Sequence, residues 1–231
     1  MKKISIQLFL LLLPAACFAP CKCKKGTIAK EDQPLIAALA NMRTAQYPIN
    51  LQFLNRWSSR AMSGDPVTDQ ELMTLFEAAR WAPSAFNEQP WHFLYARTDD
   101  PYWNDFFQLL EPFNQQWVQK ASILVLILSK NLYEKNGKPN NTHGFDTGAS
   151  WAYLALQGFS MGLVVHAMSG FDYEKAREDL RIPECYTIQA MVAIGKRGNK
   201  DNLPDELRSK EFLSDRKKIE AMITHGPYLN C

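Results

Sequence analysis

Two arginines and a serine that alternate along the chain are the residues whose spacing most directly indicates ligand binding. Arg56, Ser58 and Arg60 occupy every second position of one short segment. In extended backbone, alternate side chains point to the same side, so we expect these three to face one ligand. Two guanidinium groups and a hydroxyl can hold a phosphate through paired hydrogen bonds. The segment therefore predicts a phosphate site, and a solvated surface patch is the alternative.

A second basic cluster, residues 216–218, lies far away in the sequence. It comprises Arg216, Lys217 and Lys218, which could converge on the same anion if the fold brought the two segments together. The chain as a whole does not attract anions strongly, because its formal net charge is only +2. Binding of nucleic acid is therefore not expected, and any anion must be captured by local clusters such as these.

The third candidate is the run between Pro83 and Pro90. We expect Pro83 to end the preceding helix and Pro90 to hold Gln89 in an extended conformation. Ser84, Asn87 and Gln89 supply hydrogen-bonding groups between the two prolines. The run suits a rigid wall of a polar ligand site, and an ordinary helix-to-strand connection is the alternative.

Cysteine and histidine spacing does not indicate a metal site. Three of the five cysteines, Cys17, Cys21 and Cys23, lie close together without the partner pair that a zinc site needs. The four histidines are scattered, and each is interpreted as a packing or surface residue. We therefore predict neither a metal ion nor a disulfide framework.

Residues 1–30 are interpreted as a signal-like or membrane-anchor segment followed by a basic linker. Lys2 and Lys3 precede an apolar run over residues 4–19, which is shorter than the roughly 20 residues of a membrane span. We expect membrane association through residues 4–19, as an uncleaved anchor or through a lipidated Cys17. A cleaved periplasmic domain is the alternative. The predicted location is the membrane or the cell envelope, and the sequence does not decide the side.

Residues 31–231 are expected to form a single domain of alternating short helices and strands. Helices are predicted over residues 33–42, 68–80, 103–110, 114–120, 147–161 and 172–181. Strands are predicted over residues 91–96, 123–128, 163–168 and 186–194. The uninterrupted apolar run at 123–128 indicates a central strand buried on both faces. Polar residues 130–143 are expected to form a mobile loop, and the whole pattern indicates an α/β sandwich.

These motifs together resemble the FMN-dependent nitroreductase family. The run from Pro83 to Trp91 resembles the family signature APSxxNxQPW, and it follows the Arg-x-Ser-x-Arg segment. Residues 146–149, which open a buried helix, and residues 169–172, which follow a strand, also match the family pattern. The resemblance covers roughly residues 51–218. It implies an α+β fold, with a mainly antiparallel central sheet flanked by helices, in an intertwined homodimer.

The resemblance also implies which residues would bind FMN. The arginine segment would hold the phosphate and the ribityl chain, with Arg216 as a further phosphate ligand. Asn114 would hydrogen-bond the flavin ring, and residues 167–170 would pass along its reactive edge. The loop that follows Pro83 would reach the flavin bound mainly by the partner subunit. The implied cofactor-binding residues are Arg56, Trp57, Ser58, Arg60, Pro83, Ser84, Ala85, Asn87, Asn114, Ala167, Met168, Ser169, Gly170 and Arg216.

The implied activity is transfer of hydride from NAD(P)H, through FMN, to a small electron-poor acceptor of the nitroaromatic or quinone type. Because the flavin carries the difficult step, no side chain needs to act as a nucleophile, and we name no catalytic residue. Many family members carry a proline, an acid and a glycine where this chain has Ala167, Ser169 and Gly170, and a serine or threonine often replaces Phe86. A membrane-tethered flavin-binding protein without significant reductase turnover is the alternative function.

Overall fold

A four-stranded sheet forms the centre of the computed structural model, which describes residues 43–228. The strands lie in the order β1-β2-β4-β3, and each pairing is antiparallel. This arrangement confirms the predicted mainly antiparallel sheet. The strands are β1 Trp91–Arg97, β2 Ile123–Lys130, β3 Leu163–Met168 and β4 Tyr186–Lys196.

Helices pack on both faces of this sheet, as the predicted sandwich requires. The α-helices of the described residues are α1 Leu51–Asn55, α2 Asp69–Arg80, α3 Trp103–Phe107, α4 Pro112–Val118, α5 His143–Ser160, α6 Tyr173–Asp179 and α7 Asp205–Ser209. Short 3₁₀ turns occur at Ala85–Asn87, Lys200–Asn202 and Ile219–Ala221. The capping box at the start of α2 is confirmed, because the Thr68 hydroxyl accepts a hydrogen bond from the Glu71 amide and the Glu71 carboxylate accepts one from the Thr68 amide.

The side chains of β2 alternate between two hydrophobic cores, because neighbouring residues of a strand face opposite sides of the sheet. Leu124, Leu126 and Leu128 join the core that contains Trp117 of α4. The intervening residues of β2 face the other core, formed with α2 and α5; they are Ile123, Val125 and Ile127. The prediction of a central strand buried on both faces is thus confirmed. The packed sheet supports the loops at its edges.

The arginine segment runs beside the end of β4. Met62 forms an isolated antiparallel bridge with Arg197, and the Gly198 amide donates to the Ala61 carbonyl at 2.9 Å. A β-carbon on Gly198 would lie only 2.5 Å from the Met62 carbonyl carbon. The close approach of the two backbones therefore requires glycine at this position, and it attaches the residues after Arg60 firmly to the sheet.

Several element boundaries differ from the sequence prediction. Helix α3 ends at Phe107, because Leu110 pairs with Phe171 in an isolated bridge instead of continuing the helix. Helix α5 begins at His143, four residues before the predicted start. Leu132 and Pro139 are paired within the segment predicted as a loop, whose mobility stays a prediction. The predicted helix over residues 33–42 lies outside the described residues.

The predicted membrane or cell-envelope location is contradicted. None of the helices between residues 43 and 228 combines the length and the apolar composition that a bilayer crossing requires. Residues 4–19, on which the prediction rested, lie outside the described residues, as does the predicted boundary at residue 30. The location is therefore withdrawn.

Candidate functional site

Residues from the two basic clusters meet around one cavity of about 330 Å³. Segment 56–60 forms one wall, and residues 210–216, which follow α7, form another. Arg56, Ser58 and Arg60 all line the cavity, as does the intervening Trp57, and Arg216 reaches the same space. The cavity is lined by Arg56, Trp57, Ser58, Arg60, His166, Lys210, Phe212, Ser214 and Arg216.

Several guanidinium nitrogens at this site are buried without a hydrogen-bond partner among the described residues. They are Nη1 of Arg56, Nε of Arg60, and both Nε and Nη2 of Arg43. A buried charged donor without an acceptor is costly, and such groups are normally paired. The arrangement is therefore suited to an anionic ligand that presents several acceptor oxygens.

The charges of the cluster repel one another. Burial lowers the pKa of Arg56, and the nearby positive charge of Arg216 lowers it further. The pKa of Arg43 is lowered by burial and then by Arg216 and Arg56, while Asp215 partly offsets this effect. Guanidinium groups remain protonated at neutral pH in spite of such shifts. A bound dianion would relieve the repulsion, which is a second reason to assign an anion to the cavity.

The backbone of the arginine segment is held on two sides. Nη1 of Arg43 donates to the carbonyl oxygens of Leu54 at 2.8 Å and Arg56 at 3.3 Å, where α1 ends. On the other side, the buried Glu211 carboxylate accepts hydrogen bonds from the Arg60 and Ala61 amides. Tertiary contacts therefore fix the backbone of the segment, and contacts among its own side chains are not needed to hold it in place.

His166 of β3 forms the inner end of the cavity. Its Nδ1 lies 2.9 Å from the Ser59 carbonyl oxygen, which can only accept, so Nδ1 carries the proton. The ring lies against Trp117, with centroids 4.6 Å apart. Burial is the main cause that lowers the pKa of His166 from 6.5 to about 4, and the charges of Arg60 and Arg56 add to it. His166 is therefore neutral at pH 7.

The predicted ring-binding residues meet at the end of β3. The Asn114 amide nitrogen donates to the Gly170 carbonyl at 2.9 Å, and Asn114 Oδ1 accepts from the Trp117 indole at 3.2 Å. A β-carbon on Gly170 would lie 2.7 Å from the Asn114 amide nitrogen, so a larger residue would displace this contact. Segment 167–170 continues directly from His166. Strand β3 thus connects the arginine cavity with Asn114.

The run after Pro83 lies apart from this cavity, and none of its residues lines it. The Ala85 amide donates to the Asp146 carboxylate of α5 at 3.1 Å, and the Gln89 amide donates to the Ser84 hydroxyl at 3.0 Å. The prediction of an extended Gln89 is wrong: its φ is 51°, and Phe86 and Asn87 also have positive φ, at 53° and 56°. The hydrogen bonds that close the loop outweigh the steric preference before a proline.

Sequence reasoning missed several residues of the site. Lys210 and Ser214 line the cavity but are dispersed in a charged tail without a recognisable pattern. Arg43 and Glu211 contact the backbone of the arginine segment without lining the cavity, and they also lie outside the matched motifs. His166 gave a weak signal, as a lone polar residue in an otherwise apolar strand. It was interpreted as a packing or surface residue, and the packing interpretation agrees with its contact with Trp117.

The chain is similar to known proteins over most of the described residues. A family model described as "Nitroreductase family" matches residues 54–110 and 100–196. An NADH dehydrogenase from Thermus thermophilus is 30% identical over 174 residues, covering 62% of this chain and 83% of the relative. The Major NAD(P)H-flavin oxidoreductase of Aliivibrio fischeri is 30% identical over 95 residues, 39% of this chain and 43% of the relative. A crystal structure described as an oxidoreductase containing FMN has 39% identity and a TM-score of 0.78, covering 82% of this chain and 97% of that chain.

Proposed function

The chain belongs to the nitroreductase family and is an FMN-dependent oxidoreductase that uses NAD(P)H, and we propose that its acceptor is an electron-poor nitroaromatic or quinone. The cavity that carries this proposal fits the phosphate of FMN. Its buried guanidinium nitrogens lack acceptors among the described residues, and phosphate oxygens would supply them. We propose residues 31–231 as a single FMN-binding domain.

In this proposal, Arg56 and Arg216 bind the phosphate, and Ser58 and Arg60 bind its remaining oxygens and the ribityl chain. Backbone groups of Trp57 complete this wall of the cavity. Arg43 adds a fourth guanidinium charge next to the Arg56 backbone and fixes the backbone at the end of α1. Within residues 43–228, these guanidinium groups form no salt bridge, so binding of a dianion is favoured over binding of an uncharged ring system.

Bound FMN would supply the two-electron chemistry, taking hydride from NAD(P)H and giving it to the acceptor. The protein positions the ring: Asn114 and the Ala167–Gly170 segment are held against each other at the end of β3. In the flavin-free chain His166 is neutral near pH 7, because burial lowers its pKa to about 4. We accordingly propose binding and positioning roles for these residues, without a catalytic acid or base.

We propose that the protein is a homodimer, as proteins of this family typically are. The strained loop exposes 91% of Phe86, and Phe145 at the start of α5 is 84% exposed. Burial of such side chains against a second copy would remove a large apolar surface from water. Pro83, Ser84, Ala85 and Asn87 would then complete the site of the partner subunit. Sedimentation of protein lacking residues 1–30 tests this proposal, and a stable flavin-loaded monomer would contradict it.

The function is tested with purified full-length protein. We expect a yellow protein whose flavin absorbance bleaches anaerobically with NADH or NADPH and recovers on addition of a nitroaromatic or a quinone. Steady oxidation of NAD(P)H should require the acceptor. Tight binding of FMN with no turnover on either class of acceptor would contradict the proposed activity.

The phosphate site is tested by substitution of Arg56. Charge-assisted hydrogen bonds contribute about 1.5–3 kcal/mol each, so Arg56→Ala should weaken FMN binding by roughly tenfold to a hundredfold. Arg80→Ala is the matched control, because Arg80 is exposed and pairs with Glu77 away from the cavity. Full retention of flavin by Arg56→Ala at micromolar protein would show that the phosphate binds elsewhere.

A further inference from the structure

Glu211 is a buried carboxylate beside a cluster of arginines, yet its hydrogen bonds are made to other groups. Only 8% of the residue is exposed, and its neighbours Lys210 and Phe212 line the cavity while Glu211 does not. Among the described residues, it forms no salt bridge to an arginine or a lysine. A buried charge must be stabilised by strong interactions. The groups that stabilise the Glu211 carboxylate therefore indicate the role of this residue.

Within the part of the chain that the structure describes, the hydrogen bonds of the Glu211 side chain all go to three consecutive residues, 59–61. The Ser59 hydroxyl donates to Oε1 at 2.5 Å, and the Ala61 amide donates to the same oxygen at 3.1 Å. The Arg60 amide donates to both carboxylate oxygens, at 3.0 and 3.1 Å. Charge-assisted bonds to a carboxylate are stronger than those between neutral groups. Glu211 therefore holds the backbone of the arginine segment and binds the buried Ser59 hydroxyl, which does not line the cavity.

This geometry leaves the Arg56 and Arg60 guanidinium groups without a carboxylate partner among the described residues. If Glu211 paired with Arg56 or Arg60, it would neutralise the charge that a phosphate needs. Instead, Nη1 of Arg56 and Nε of Arg60 remain without partners among the described residues. The acid thus compensates its own burial mainly through backbone amides and leaves the guanidinium donors available to a ligand.

We infer that Glu211 is a positioning residue that presets the phosphate-binding segment, an inference that rests on the proposed binding of FMN. It acts through residues 59–61 and does not touch the cofactor. Loss of Glu211 should therefore weaken recognition of the phosphate and leave recognition of the flavin ring unchanged. Riboflavin, which has the same ring and ribityl chain but no phosphate, separates these two effects.

The experiment compares binding of FMN and riboflavin to full-length protein stripped of flavin. In Glu211→Gln, an NH₂ group replaces one carboxylate oxygen. It cannot accept from the backbone N–H that now donates to that oxygen, so at least one hydrogen bond is lost. We expect FMN affinity to fall about tenfold or more and riboflavin affinity to fall much less, because riboflavin contacts the segment through its ribityl chain but has no phosphate. Asp205→Asn is the matched control, because the Asp205 side chain on α7 is 91% exposed and contacts Arg208; it should bind both ligands as wild type does.

Ser59→Ala provides a second variant if Glu211→Gln does not fold. It removes only the hydroxyl bond to Glu211 and should weaken FMN binding about threefold, with a smaller effect on riboflavin binding. Wild-type FMN affinity in both variants would overturn the positioning role and leave the proposed function intact. Equal losses for FMN and riboflavin would also overturn it, because they would show a general structural role. Failure of the wild-type protein to bind FMN would instead refute the proposed function, and the inference with it.

Discussion

The burial of a neutral His166 predicts that stability depends on pH in a defined window. The pKa of this group falls from 6.5 to about 4 in the folded chain, chiefly because of burial. Between these two values the unfolded chain binds a proton that the folded chain does not. Acidification through this window therefore favours the unfolded state, and the stability present above pH 6.5 is progressively lost toward pH 4.

The size of the effect follows from the shift. Each pKa unit corresponds to about 1.4 kcal/mol. Protonation of this histidine in the unfolded chain therefore lowers the free energy of unfolding by about 3 kcal/mol at pH 4. Roughly 2 kcal/mol of this should already be lost at pH 5. Against the total stability of an ordinary domain, about 5–15 kcal/mol, this loss is large.

The assay is urea denaturation of flavin-free protein at several pH values between 4 and 7.5. Flavin is removed because a phosphate near His166 would offset the charges of Arg56 and Arg60. His166→Asn keeps a donor toward the Ser59 carbonyl but cannot ionise. The pH dependence of the difference in unfolding free energy between this variant and wild type therefore reports the ionisation of His166 alone. His92→Asn, at an exposed position of β1, is the control.

From pH 7 to pH 4, we expect wild type to lose about 3 kcal/mol more unfolding free energy than His166→Asn. Any advantage of wild type at pH 7 should therefore shrink, or turn into an advantage of the variant, at pH 4. The His92→Asn profile should parallel that of wild type. A constant difference between wild type and His166→Asn across this range would refute the reasoning, because it would mean that the buried imidazole accepts a proton as readily as the unfolded one.

Three further predictions follow from single contacts. Arg43→Ala should weaken FMN binding by about tenfold, because it removes a guanidinium charge and the two backbone contacts at the end of α1, and Arg43→Lys should be intermediate; unchanged FMN titrations would exclude Arg43 from the site. Thr68→Ala should lower the free energy of unfolding by about 1 kcal/mol through loss of the α2 cap, without altering FMN affinity, and equal urea midpoints would contradict this. Gly198→Ala should destabilise the protein by about 1–3 kcal/mol and weaken FMN binding, since the Met62 backbone must move; a wild-type melting temperature would show that the close contact can relax.

The sequence alone determined the elements whose signals are local. The Thr68 capping box, the apolar run of β2 and the alternation of Arg56, Ser58 and Arg60 each depend on residues within a few positions of one another. Local backbone geometry and side-chain period decide such features, so they can be read from spacing. The resemblance to a family then supplied the mainly antiparallel pairing of the strands, which no local signal specifies.

Only the tertiary structure decided what surrounds the arginine segment. Arg43, His166 and Glu211 reach it from distant parts of the chain, and their partners are backbone carbonyls and amides that every residue possesses. Such contacts leave no pattern in the sequence, because a backbone group selects for position rather than for residue type. The positive φ of Gln89 has the same origin: the Ser84 hydroxyl that closes its loop overrides the local preference before Pro90.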